Sequence, residues 1–149
     1  MVAVNPESDI YHLQDLAGKT LAVQSTTKPE GIFLRRNDPR IPKLENLLSM
    51  RDHVLIYTLL GKGYADAIGE HETSILQYMK DYDVEYRILP EPLMTVGIGV
   101  AFDKEDRRSL CRELDKTLRE MRQDGTSERI IGKYLENPKQ YLEVEKLAY

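Results

Sequence analysis

Apolar and polar positions along the first two thirds of this chain follow two alternating rhythms. Short β-rich runs give way to segments with helical spacing, which predicts a series of βα units. Val2-Ala3-Val4 reads as a strand, stopped by Asn5-Pro6 and a polar turn over Glu7-Ser8-Asp9. Thr20 to Gln24 is a core strand, and Pro29 to Arg36 a short helix weakened by Gly31 and ended by Asn37-Asp38-Pro39. Asn46-Leu47-Leu48 predicts the next strand. Asp52 to Leu60 follows as a helix with His53, Ile56, Tyr57 and Leu60 in register, stopped by Gly61-Lys62-Gly63. Ala65 to Gly69 is a strand, Thr73 to Tyr82 a helix with Ile75, Leu76 and Met79 on one face, and Tyr86 to Leu89 a strand before Pro90 and Pro92.

Such an order predicts an α/β fold of three layers, with a mixed, mostly parallel sheet between helices. The rhythm then changes. Met94 to Ala101 predicts a long apolar strand, and from Asp103, read as an N-cap, the chain is helical. Leu110, Leu114, Leu118 and Met121 form the stripe and Gly125 the stop. Ser127 to Leu135 is a second C-terminal helix, closed by Asn137-Pro138.

Composition narrows the function. With 149 residues the chain can bury a core without staples, and its one cysteine, Cys111, allows no internal disulfide and reads as a buried helical thiol. A net charge of −4, with basic residues scattered among acids, argues against nucleic-acid binding. No apolar run approaches the roughly 18 residues of a membrane span, and Met1 to Pro6 is too short for a signal peptide.

The most informative chemistry lies in Asp15-Leu16-Ala17-Gly18-Lys19-Thr20-Leu21-Ala22-Val23-Gln24-Ser25-Thr26-Thr27. A turn, a buried strand and a hydroxyl-rich helix entry follow one another. Free N–H groups at that helix start face the region beyond the strand's C-terminal end, where open α/β sheets bind ligands. Plain helix capping by the two threonines is the competing reading. Gln24 ends the strand, and a solvated polar strand end is its simpler role. Glu91 and Met94 are rim candidates.

No Gly-rich phosphate loop, nucleophile elbow or Cys/His pair is present, so no cofactor or catalytic set is called for. Glu70-His71-Glu72 contains metal-ligand residue types, but neighbours on a strand point to opposite faces, which argues against a metal site. The carboxylate of Asp66 reads as structural. His12, His53 and the nine dispersed tyrosines read as surface or packing residues.

The string from Leu13 to Thr27 resembles the pattern D-L-x-G-K-x-V-A-V-x-x-G-T-T at the start of the second lobe in type II periplasmic solute-binding proteins of amino-acid ABC transporters. Thr95 to Ala101 resembles that family's returning hinge strand, and Leu118 to Tyr134 its closing helices. The resemblance implies that residues 1–98 are a second lobe with hinge strands. Residues 99–149 would then be the returning strand and helices that pack on a first lobe lying before Met1. It implies a small polar solute, an amino acid or related carboxylate, held between lobes with its carboxylate on Thr26 and Thr27, beside Ser25 and Gln24. Ser25 stands where the family has glycine.

The family's acidic anchor follows G-x-x-D-A, which Gly63-Tyr64-Ala65-Asp66-Ala67 matches. Strict spacing then puts His71 at the anchor, and a loop one residue shorter puts Glu70 there. The implied setting is extracytoplasmic and non-enzymatic, with an ABC permease as partner and the signal or anchor outside this chain. A sensor domain of a histidine kinase or diguanylate cyclase, a cyclohexadienyl dehydratase-like enzyme and the effector domain of a transcription regulator are the alternatives. Exposed hinge strands predict a homodimer or segment-swapped dimer of the fragment.

Overall fold

The computed structural model describes residues 1–36, 38–103 and 109–142. The chain divides into two compact units, Met1–Met94 and Thr95–Tyr149. In the first, β1 (Val2–Val4), β2 (Thr20–Gln24), β3 (Asn46–Met50), β4 (Ala67–Gly69) and β5 (Arg87–Ile88) form one mixed sheet in the order β3-β2-β4-β1-β5. β2 pairs parallel with β3 and β4, whereas β1 runs antiparallel to both β4 and β5. Four strands therefore share one direction, and only β1 opposes them.

Strand alternation divides the side chains between two cores. Val2, Val4, Leu21, Val23 and Ala67 face one layer, where they meet Phe33 of α1 (Lys28–Arg35) and Leu13 and Leu16 of a 3₁₀ turn. Ala3, Ala22 and Ile68 face the other, against Ile56, Tyr57 and Leu60 of α2 (His53–Gly61) and Ile75 of α3 (Glu72–Tyr82). β3 runs two residues past its apolar segment, because Ser49 and Met50 continue the ladder opposite Val23 and Gln24.

Turn chemistry sets the entry to β2. Gly18 takes φ 70°, a conformation that glycine adopts without penalty. Asp15 Oδ2 accepts the Tyr11 and His12 N–H groups at 2.9 and 2.8 Å, which hold its carboxyl below the ordinary aspartate range. Asp66 Oδ2 accepts Thr20 N–H at 2.7 Å, and its own N–H returns to Thr20 O at 2.8 Å. It thus joins the start of β4 to the start of β2. Glu91 accepts Leu13 N–H at 2.6 Å and lies 3.3 Å from His12 Nδ1, so it braces the 3₁₀ turn.

The tyrosines depart from the dispersed arrangement that the sequence predicts. Tyr57 stacks on Tyr78 at 3.8 Å and Tyr78 on Tyr82 at 4.3 Å, with Tyr86 beside them. Residues far apart in sequence meet because α2 and α3 lie side by side on one face of the sheet. The Tyr57 hydroxyl is buried with no hydrogen-bond partner among the described residues, and burial raises its pKa. A polar group in that position opposes folding. Tyr57→Phe is expected to stabilise the chain by about 1 kcal/mol in a urea titration, since the ring and its stacking remain. A loss of stability would show that the hydroxyl has a partner in solution.

In the second unit, α4 (Leu110–Gln123) and α5 (Thr126–Ile131) are followed by a 3₁₀ turn at Pro138–Tyr141. The apolar residues of α4 form a stripe, but none is buried. Four expectations are corrected here. Residues 95–101 join no strand ladder, because an apolar run becomes a strand only beside a partner edge, and Ile98 and Val100 are exposed. The N-cap of α4 is Ser109, not Asp103, with residues 104–108 outside the described set. Cys111 is exposed, since the helix that carries it is uncovered. α5 also ends at Ile131, short of Leu135. Among the described residues no helix is long and apolar enough to cross a membrane.

Candidate functional site

Three parallel βα units deliver three helix starts to one edge of the sheet. β2 ends at Gln24 and α1 starts at Lys28; β3 ends at Met50 and α2 starts at His53; β4 ends at Gly69 and α3 starts at Glu72. The strands are neighbours, with Val23 opposite both Ser49 and Gly69. The topology therefore gathers Gln24, Ser25, Thr26 and Thr27 beside Glu70 and His71. Backbone amides at helix starts are donors without intrahelical partners, and their local charge is positive.

The first loop is built tightly. Ser25 N–H donates to Met50 O at 2.8 Å, which ties it to the end of β3. Thr26 takes φ 62°, a left-handed conformation that strains a β-branched residue. Thus the positive φ of this turn falls on Thr26, one residue after the position where the family pattern has glycine. Thr27 is the N-cap of α1 by backbone, but its hydroxyl does not cap the helix. Its Oγ1 donates to Gln24 O at 2.6 Å, and Thr26 Oγ1 donates to Ser25 O at 2.6 Å. Each hydroxyl proton is thus directed at a carbonyl, and the oxygen retains acceptor capacity. The first amides of α1 lack a capping hydroxyl, and Pro29 contributes no N–H. Gln24 Nε2 reaches Arg51 O at 3.5 Å, the outer limit of a hydrogen bond.

At the end of β4 the two anchor candidates diverge. Glu70 is buried, 3% exposed, and its Oε1 accepts His71 N–H at 2.6 Å. Tyr57, on the α2 side of the sheet, lies within its electrostatic reach. His71 is exposed at the N-cap of α3 and makes no capping bond. Gly69 explains how closely α1 approaches this strand. A Cβ there would lie 3.1 Å from Val23 Cγ1, 3.3 Å from Phe33 Cε2 and 3.5 Å from Pro29 Cβ.

One residue at the edge is absent from the sequence-derived candidates. Glu30 Oε2 accepts Thr26 N–H at 2.7 Å, and the Ser49 hydroxyl and then that amide hold its carboxyl below the ordinary glutamate range. Its signal is present in the chain as Thr27-Lys28-Pro29-Glu30, the T-x-x-E spacing of a capping box, in which the third helical residue reaches back to an N–H at the helix start.

No protein-family model matches the chain. The histidine-binding periplasmic protein of Escherichia coli K12 is 30% identical over 143 residues, covering 91% of this chain and 54% of that protein. The ABC transporter glutamine-binding protein GlnH of Bacillus subtilis is 26% identical over 134 residues, covering 89% of this chain and 46% of its own length. Among solved structures, the probable amino-acid ABC transporter extracellular-binding protein YtmK of Bacillus subtilis superposes with a TM-score of 0.78 at 21% identity, over 90% of this chain and 58% of that one. The homologues and structural neighbours of this chain are amino-acid-binding proteins of ABC transporters with the type II periplasmic binding fold. They are named as binding proteins rather than enzymes. The chain spans about half the length of the curated relatives it matches.

Proposed function

We propose that this chain is one ligand-gripping lobe, with a following helical segment, of an extracytoplasmic amino-acid-binding protein that serves an ABC permease. One observation carries the reading. The helix starts after β2, β3 and β4 share one edge of a parallel core, and the residues at that edge are Gln24 to Thr27, Glu70 and His71. That is a place to hold a small zwitterion. The uncapped amides at the start of α1 and the threonine hydroxyls beside them suit its carboxylate, and the relatives are named for histidine and glutamine, which carry one.

In this reading Thr27 and Thr26 take the carboxylate, with the Thr27 hydroxyl turning from Gln24 O to the ligand. His71 lines the cleft, and Glu70, buried beneath it, fixes the start of α3 and supplies negative potential for a cationic group. The opposite wall of the cleft comes from the remainder of the parent protein. The uncovered α4 stripe and the groove beside it, lined by Val96, Ile98, Leu118, Met121, Ile130 and Ile131, pack on that remainder.

A thermal-shift screen of the full-length protein against amino acids, polyamines and small carboxylates tests the reading. A cognate amino acid at one hundred times its Kd contributes about 2.7 kcal/mol of stability, a shift on the order of 5–10 °C. Thr27→Val is expected to remove most of that shift at the same ligand concentration while leaving the unliganded midpoint within about 2 °C. No shift with any amino acid, or an equal shift in the variant, would contradict it.

A further inference from the structure

The corner assigned to the ligand's carboxylate already contains one. Glu30 is the third residue of α1, and its carboxylate sits on the Thr26 amide at 2.7 Å, within reach of the Ser49 hydroxyl on the adjacent β3. Thr26 is the residue whose left-handed backbone aims that amide. A ligand carboxylate brought to the start of α1 meets a fixed negative charge at the Thr26 amide. Two carboxylates cannot share one N–H without repulsion in a partly dehydrated cleft. Either the incoming group displaces Glu30 or it binds beside an uncompensated like charge.

Resting on the reading of this corner as a carboxylate site, we infer that Glu30 is a specificity-determining residue whose carboxylate competes with the ligand's own for the Thr26 amide. It lowers affinity for a free carboxylate and narrows the preference for an amino acid over its uncharged carboxamide. The cleft gains from this arrangement in the empty state, because the strained turn and the orphan amide are satisfied until ligand arrives. Release follows the same exchange in reverse. The effect is local to one end of the ligand, so it leaves recognition of the other end at His71 and Glu70 untouched.

The measurement is isothermal titration of the full-length protein, wild type and Glu30→Gln, with L-glutamine, L-histidine or L-arginine, whichever shifts the wild-type melting point most, and with the matching α-carboxamide. Glutamine keeps an acceptor for the Thr26 amide and removes the charge. The expected result is about tenfold tighter binding of the free acid, with carboxamide affinity changed less than about twofold. Glu30→Ala is the second variant. It is expected to bind the free acid more tightly as well, despite a lower melting point, because affinity and stability move in opposite directions for a competitor. Unchanged or weaker binding of the free acid in both variants, with Thr27→Val still damaging, shows that Glu30 only braces the turn and overturns the inference alone. Failure of the wild type to bind any of the three, or insensitivity to Thr27→Val, overturns the site reading and this inference with it.

Discussion

Phe33→Ala is expected to destabilise the chain by about 3–4 kcal/mol. The ring is 3% exposed and belongs to the core formed with Leu21, Val23 and Ala67. With Pro29 it is one of the two buried side chains that α1 contributes, since Ile32 is only partly buried and Leu34 is exposed. Alanine would leave a cavity between helix and sheet that a helix of eight residues cannot close by moving, because its first turn is tied through Thr26, Thr27 and Glu30. Denaturant unfolding followed by far-UV circular dichroism measures this. A loss below about 1 kcal/mol would mean that α1 is not anchored through Phe33.

Gly69→Val tests the same contact from the strand side and is expected to cost about 3 kcal/mol by overpacking. Its Cβ alone would stand 3.1 Å from Val23 Cγ1 and 3.3 Å from Phe33 Cε2, and the branched methyl groups have less room still. Neither neighbour is a free side-chain end, as both are buried in the sheet-facing core. Relief therefore comes by pushing α1 outward, which moves the Thr26 and Thr27 amides. In the full-length protein the variant should lose ligand affinity even where enough folded protein remains to titrate. Equal affinity with reduced stability would separate the packing of α1 from the ligand corner.

Much of the fold was legible because it rests on local alternation. Leu21 and Val23 against Ala22, and Ala67 against Ile68, assign each residue to a sheet face before any partner is known. Asp52, whose carboxylate accepts Val54 N–H, and Pro29, whose ring fixes φ, mark helix starts by their own chemistry, and both sit there in the structure. What was not legible depends on partners. Residues 95–101 have the apolar content of a strand but join no ladder among the described residues, and Cys111 has a helical site but is exposed. The stack of Tyr57, Tyr78, Tyr82 and Tyr86 needs two helices to be adjacent, which spacing within either one does not encode.

The placement of the candidate residues was legible to a similar degree. The approach of Thr26 and Thr27 to Glu70 and His71 follows from the βα order once β2 and β4 are neighbours. The outcome at β4, Glu70 buried and His71 exposed, turns on which face of the strand end each side chain takes. In the sequence Glu30 is one more acidic residue in the first turn of a helix, where the helix dipole alone accounts for it. Only the structure shows its carboxylate on the Thr26 amide.

Whether the start of α1 holds the carboxylate of an amino acid is decided by a crystal structure of the full-length protein with its bound amino acid. The ligand's carboxylate is expected within hydrogen-bond distance of the Thr27 hydroxyl and the first amides of α1, with Glu30 turned away from Thr26. A ligand carboxylate held elsewhere, with Thr26 N–H still on Glu30 and the Thr27 hydroxyl still on Gln24 O, would contradict it.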